Sequence, residues 1–476
     1  MGHNVIPALP AASVGDATRQ SDGAARSASI EVGDTARAGD AVRGGDIARA
    51  GELVRGGVTA RAGEAVRVGD TARVEGAVGA GGCGVPGGTV LVDDHVRAGV
   101  RLVGVDLARG LAVLGMYAAH VGPEPGQGGV LGFVMEVTHG RSSALFAFLA
   151  GFSILLITGR RVPKTGRAGR QARVKILIRA VILLVLGTAL TASGTKVEVI
   201  LAYYGLYFLL ALPLARLRAG TLAVLAAVSA LMLPQIVAVV TATDSGWTAA
   251  VTRSDPLAWL SGRGDPGSSN DGVVGLLLTG SYPALSWLPF VIAGMAVARL
   301  DLADKVIRVR LAATGLGLAT LGYGGSAMAL HFASDTTAPG IMYAPWWSDM
   351  AEDPAGWRYQ LSAMPHSETT LSVVGNTGVA LTVLIACLAA CDGSRRFLRV
   401  ATPLIAVGSM SLTAYVFHVA AIAALGFEVL PAGSLPVLLG LSAIIMMFAY
   451  CWSRFFHRGP LEWLLYRATR VAERVR

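Results

Sequence analysis

Residues 101–121 read RLVGVDLARGLAVLGMYAAHV, and this stretch decides the fold. A helix needs about 20 mostly apolar residues to cross the ~30 Å hydrocarbon layer, and the run from Leu102 to Val121 meets that length. Yet Asp106, Arg109 and His120 lie inside it or at its edge. Ionisable groups are costly in lipid, so they turn to the bundle interior and mark functional positions. Arg109 and His120 are three helical turns apart and share a face, separated by roughly 16 Å along the axis. Asp106 precedes Arg109 by one turn and can pair with it on that face. Two readings of the pair stand at this point: a functional cation held by its partner, or a neutralised pair that locks the span in a bundle. A cation at one end of a face and an imidazole at the other suits a long substrate.

Outward from this stretch, apolar windows recur to the end of the chain. Ten spans are predicted at 102–121, 142–159, 174–193, 197–217, 220–241, 283–299, 310–332, 371–391, 402–425 and 434–453. Residues 273–282 form a further apolar piece, interfacial or re-entrant. The whole chain of 476 residues is 53% apolar and only 15% charged, with a mean hydropathy of +0.57. A soluble domain is nearer 25% charged, so the expected class is an all-α polytopic membrane protein of about ten transmembrane helices. The net charge of +9 does not point to nucleic acid, because the basic residues punctuate the apolar runs. Alternate connections hold 22 and 5 Lys and Arg residues respectively. The positive-inside rule puts the first set, and both termini, in the cytoplasm. Loops 242–272 and 333–370 then face outside, with Trp247, Trp259, Trp346, Trp347 and Trp357 as interfacial anchors or a substrate platform.

The first hundred residues differ in kind. Seven six-residue repeats run from Gly33 to Val74, GDTARA, GDAVRG and their variants. The residue before each repeat glycine is Val32, Ala38, Gly44, Ala50, Gly56, Ala62 or Val68, too small to fill a β-coil interior. So little apolar volume cannot offset the entropy of ordering the backbone, and a disordered tail is expected. The division is a low-complexity tail at 1–98, a first membrane half at 99–300, and a second half with a basic C-terminal tail at 301–476. The start, MGHNVIPALPAAS, has neither the pattern of a cleaved signal peptide nor that of a myristoylation site. Cys83, Cys387, Cys391 and Cys451 suggest no disulfide framework, and no metal site is expected.

Further polar groups collect at the level of His120. His139 and Arg141 open the second span behind Glu136, Asn376 begins the eighth, and His418 lies in the ninth above Thr413 and Tyr415. His418 reads equally as a satisfied interhelical hydrogen-bond partner. Gly408-Ser409-Met410-Ser411 reads as helix packing, not a phosphate loop. No P-loop, GxSxG, HExxH or dinucleotide fingerprint is present.

The stretch VDLARGLAVLGMYAAH resembles the first-span signature of the transmembrane acyltransferase superfamily: an Asp, an Arg, ten residues, then a His, as in the acyltransferase 3 family. Paired with GRSSALFAFLAGFS, it resembles the bacterial branch of the heparan-α-glucosaminide N-acetyltransferase catalytic-domain family. The C-terminal half resembles the bacterial domain of unknown function 418 in residues 280–302, in VGSMSLTAYVFH at 407–418 and in FFHRGPLEWLLYR at 455–467. The resemblance implies a ten- or eleven-span acyltransferase in the bacterial plasma membrane. It would take an acyl group, usually acetyl, from cytoplasmic acyl-CoA to a glycan or small molecule at the outer face, with no permanently bound cofactor. Membrane lipid, acyl-CoA and the acceptor would be its partners; a homo-oligomer stays open, and no nucleic acid is expected. By the same resemblance His120 is the catalytic histidine, with Asp106 and Arg109 in the donor channel. In the heparan enzyme that histidine follows the first span, where this chain offers only His139, so the role is divided between His120 and His139. Arg141, Asn376 and His418 are the expected acceptor-binding or supporting groups. A transporter with the same charges as a relay, and a non-catalytic membrane protein of the same fold, are the alternatives.

Overall fold

The computed structural model describes residues 102–195, 197–243, 246–253, 255, 272–333, 359–426 and 433–475. The repeats, Cys83 and four of the five loop tryptophans lie outside these residues. Among the described residues the chain is helical, with no strand. In chain order the helices are α1 (Val103–Val121), α2 (Gly129–Thr138), α3 (Arg141–Thr158), α4 (Gly166–Ala192), α5 (Leu201–Ala211), α6 (Ala219–Ala242), α7 (Trp247–Arg253) and α8 (Gly272–Thr279). They continue with α9 (Ala284–Ala298), α10 (Lys305–Ala319), α11 (Gly325–Ala333), α12 (Thr370–Gly393), α13 (Arg395–Ser409), α14 (Ser411–Leu425), α15 (Leu435–Phe455) and α16 (Pro460–Thr469).

Each of the ten apolar segments is helical, but the count of spans changes. Among the described residues five helices are long and apolar enough to cross a membrane, or up to seven when each sharply bent pair counts as one. The differences have local causes. Helix α1 carries Asp106, Arg109 and His120, which lower its hydropathy. The fourth segment is a short helix that tightens into a 3₁₀ turn at Leu212–Arg216. The seventh is interrupted by a π-turn at Thr320–Gly324. The ninth is two helices, α13 and α14, that meet at 79° beside Met410. The apolar piece before the sixth is α8, set at 61° to α9.

Helices α1, α3 and α12 form the centre, with α9 against α3 and α13 against α1. Small residues set these crossings. A methyl group on Gly408 of α13 would stand 1.7 Å from the Asp106 carbonyl oxygen, and one on Gly294 of α9 would stand 1.8 Å from that of Phe148. Such backbone-to-backbone approach is how membrane helices gain dispersion energy, since lipid competes for larger apolar side chains. Around the centre, α4, α6 and α15 are long apolar helices, yet their spanning windows are only 22%, 17% and 22% buried. Their outward faces, with Val181, Val185, Val224, Ile236 and Met447, form an apolar perimeter that only a lipid environment satisfies.

Two polar staples hold the ends. Arg299 donates to the carbonyls of Gly159, Arg160, Ala215 and Leu217, closing the C-terminal ends of α3 and the α5 segment. At the bend between α13 and α14, Glu462 of α16 accepts from the Leu412 and Thr413 amides and the Thr413 hydroxyl. It thereby satisfies orphan donors at the start of α14, where a carboxylate also suits the helix dipole.

Candidate functional site

His120 ends α1, and His418 lies in the middle of α14. Their rings stack at 5.2 Å, and the His120 Nδ1 is 3.0 Å from the His418 Nε2. On its other side the His418 Nδ1 is 2.7 Å from the Tyr415 carbonyl oxygen. A carbonyl can only accept, so the His418 Nδ1 carries a proton. In the neutral ring its Nε2 is then an acceptor, and His120 must donate through Nδ1. The result is a His120 whose Nε2 holds a lone pair. Packing fixes this relay: His418 is fully buried, Tyr117 stacks on it at 4.7 Å, and Tyr117 itself donates to the Ala414 carbonyl at 2.7 Å.

His120 lines a cavity of about 730 Å³. The opposite wall is the loop that leads into α12, with His366, Ser367 and Glu368. His366 and Glu368 both have φ of 57°, a left-handed conformation that non-glycine residues rarely keep unless the surroundings impose it. The Glu368 carboxylate accepts from the Ser286 hydroxyl at 2.7 Å and the Trp287 indole at 2.8 Å. Burial outweighs these two bonds and raises its pKa to about 8. Other surroundings brace the loop from behind. Ser372 donates to the Met364 carbonyl, Asn376 donates to Ser372, Tyr323 donates to Asn376, and the Arg141 guanidinium lies 4.7 Å over the Tyr323 ring.

Two of the expected acceptor-binding residues belong to this brace. Arg141 donates to the carbonyls of Glu136 and His139, and neither Arg141 nor Asn376 is among the residues lining the cavity. His139 caps α2 within electrostatic reach of His120 but is likewise absent from the cavity wall.

At the other end of α1, Arg109 donates to Asp106 at 3.0 Å and to the Ser153 hydroxyl at 2.7 Å. Arg109 lines a second cavity of about 270 Å³, shared with Arg179, Ser409, Ser411 and Glu462. The Arg179 Nε is buried with no hydrogen-bond partner among the described residues. The two cavities have no lining residue in common. Tyr117 and Tyr415, both buried, occupy the intermediate level on α1 and α14. The structure thus keeps Arg109 and His120 on one helix but gives each its own chamber.

Sequence reasoning passed over Glu368, His366 and Arg179. Arg179 had a signal, a cation set one turn beyond Lys175 inside the third apolar run. The loop residues had none, because MPHSETT carries no periodicity and no glycine at its left-handed positions. Among the described residues no group of three or more His, Cys, Asp or Glu could hold a metal ion.

Comparison with known proteins bears on the same residues. Residues 101–325 match the family described as heparan-alpha-glucosaminide N-acetyltransferase, catalytic, and residues 337–472 match protein of unknown function (DUF418). No curated protein matches the chain. The cavity draws on both matched stretches, with His120 from the first and His366, Ser367 and Glu368 from the second. These two matches are to the same pair of families that its motifs resemble.

Proposed function

We propose that this membrane protein moves an acyl group, usually acetyl, from acyl-CoA on the cytoplasmic side to a hydroxyl or amine acceptor in the His120 cavity. The observation that carries the reading is the His120–His418 relay, which presents an unprotonated Nε2 to a chamber of small-molecule size. The distribution of Lys and Arg supports placing the Arg109 end, with both termini, in the cytoplasm. There Arg109 and Arg179 offer guanidinium groups to the phosphates of the donor, and the unpaired Arg179 Nε has room for a new acceptor.

The chemistry is a balanced acyl transfer. His120 Nε2 takes the proton of the acceptor hydroxyl or amine as its oxygen or nitrogen bonds the thioester carbonyl. The carbon–sulfur bond then breaks, and the CoA sulfur leaves with the proton returned from His120. During the step the positive charge on His120 is stabilised through its Nδ1–H to His418, itself anchored by the Tyr415 carbonyl. The orienting logic matches that of a catalytic triad, with a neutral ring in place of a carboxylate. His139 stays a proton carrier at one remove, since it does not line the cavity.

Two separate chambers also suit a transporter, so the test must distinguish the two. Labelled acetyl transfer from acetyl-CoA is measured in membranes, alongside acetyl-CoA binding to the purified protein. Transfer and binding support the enzyme. Wild-type protein that binds no acyl-CoA sinks the acyltransferase reading and favours the transporter.

A further inference from the structure

Buried polar atoms in folded proteins are nearly always hydrogen-bonded, and one left over calls for a functional account. Among the described residues three buried side-chain atoms have no hydrogen-bond partner: the Arg179 Nε, the Tyr204 hydroxyl and the Ser362 hydroxyl. Arg179 and Tyr204 line the same cavity, the Arg109 chamber, whose wall is otherwise largely apolar. On the proposed reading Arg179 meets the donor phosphates, and Tyr204 has no role.

Tyr204 stands in the first turn of α5, where the chain passes from one chamber to the other. Val197 and Glu198 line the His120 cavity, Leu201 and Tyr204 line the Arg109 cavity, and only the buried Val199 and Ile200 lie between them in sequence. The Ile200 amide donates to the Tyr415 hydroxyl at 3.0 Å, which ties this turn to α14 one turn from His418. Long side chains on a helix lean toward its N-terminal end, so Tyr204 leans toward this junction. Tyr415, and Tyr282 of the His120 cavity wall, are within electrostatic reach of its hydroxyl. Neighbouring hydroxyls are already committed: Tyr207 donates to the Tyr282 carbonyl at 2.7 Å, and Tyr117 to that of Ala414 at 2.7 Å. Tyr204 keeps a neutral O–H donor on the path from the Arg109 chamber toward His120.

Attack on a thioester turns its carbonyl oxygen into an anion, and a preorganised donor aimed at that oxygen is among the largest aids to acyl transfer. The His120–His418 relay serves the proton, not the oxygen. We infer that Tyr204 is the hydrogen-bond donor to the thioester carbonyl oxygen, and so a second catalytic residue. As the acceptor oxygen or nitrogen bonds the carbonyl carbon, an electron pair moves onto the carbonyl oxygen, where the Tyr204 O–H holds it without giving up its proton. That pair returns as the carbon–sulfur bond breaks, and the sulfur leaves with the proton from His120. The inference rests on the acyl-transfer reading and deepens it.

Acetyl-CoA carrying ¹³C at the acetyl carbonyl is bound to the purified full chain without acceptor, and the carbonyl stretch is read by infrared difference. The band should move to higher frequency in Tyr204→Phe, which cannot donate. The same variant should bind acetyl-CoA about two- to tenfold more weakly, the range of one neutral hydrogen bond, and bind CoA within about twofold of wild type. Acetyl transfer in membranes should fall about 10²–10³-fold in kcat. Because the lost hydroxyl has no partner in the ligand-free protein, the melting midpoint of Tyr204→Phe should not fall. Tyr207→Phe, which loses a buried hydrogen bond on the same helix, should melt lower with the carbonyl band unmoved. An unmoved band in Tyr204→Phe, transfer within threefold of wild type, or equal weakening of CoA and acetyl-CoA overturns the assignment. So does a Tyr204→Phe that melts lower or does not fold, since its hydroxyl then has a structural partner. Wild-type protein that neither binds nor transfers acetyl-CoA sinks the acyl-transfer reading and Tyr204 with it, whereas wild-type transfer with an unmoved band sinks Tyr204 alone.

Discussion

His120 gains its chemistry from a neighbour 298 positions away. His120→Ala removes the proton acceptor without stranding a buried charge, so the fold should persist and kcat should fall by about 10²–10⁴-fold. His418→Ala is the more informative variant. It frees the His120 Nδ1 proton to move to Nε2, which presents the wrong tautomer, and a loss on the order of 10²–10⁴ in kcat with unchanged acetyl-CoA binding is expected. Full activity in His120→Ala with loss in His139→Ala would move the catalytic role to the turn before α3. Glu368 makes a prediction about pH. Its pKa is about 8 in the folded protein against an ordinary 4.5, so the folded state holds the extra proton between those values. Stability from this group is present below pH 4.5, falls as pH rises, and is lost by pH 8. The melting midpoint of wild type should therefore decline from pH 5 to pH 8 relative to Glu368→Gln, which has no proton to lose. Parallel curves would show that the carboxylate is not confined.

Helices were legible wherever lipid selected their composition, and each apolar segment read from the sequence is helical. What hydropathy could not supply is shape. The bend between α13 and α14 needs Glu462, which lies on α16 and has no sequence link to Met410. The loop before α12 takes its left-handed turns at His366 and Glu368, residues that do not encode them, and is held from outside by the Arg141–Tyr323–Asn376 brace. Arg141 and Asn376 were visible as polar residues in the right place, but whether such a residue meets a ligand or a loop depends on contacts between distant segments. Close packing is testable at this scale. Gly408→Ala places a methyl where the Asp106 carbonyl stands, and overpacking of this kind costs about 1–3 kcal/mol. Its melting midpoint in detergent should fall, whereas Gly440→Ala, which meets nothing within 4 Å, should melt as wild type does. Equal melting would mean that α1 and α13 part without cost.

Across the whole molecule the asymmetry of 22 against 5 basic residues sets a proposed orientation. A cysteine introduced at Ser348 should react with an impermeant maleimide in intact cells, and one at Gly166 should not. The reverse labelling would turn the molecule over and put the acceptor chamber on the cytoplasmic side. On the proposed reading the same experiment says which side each substrate comes from, since Arg109 and His120 lie three turns apart along α1.

Two chambers that share no lining residue, with a layer holding the buried Tyr117 and Tyr415 at the level between them, also shape the electric field. If water fills both, most of the membrane potential drops across that layer, where moving one elementary charge costs about 2.3 kcal/mol per 100 mV. On the proposed reading the phosphates of the donor stay on the Arg109 side, and only the uncharged pantetheine arm with its thioester has to pass Tyr117 and Tyr415 to reach His120. Transfer should thus proceed at one rate in vesicles with and without an imposed potassium diffusion potential. A rate that follows the voltage would mean that a proton or another ion crosses with the acyl group. Insulation is then as much a property of those tyrosines as support for the histidines, because a continuous water path would couple every turnover to the energy of the cell.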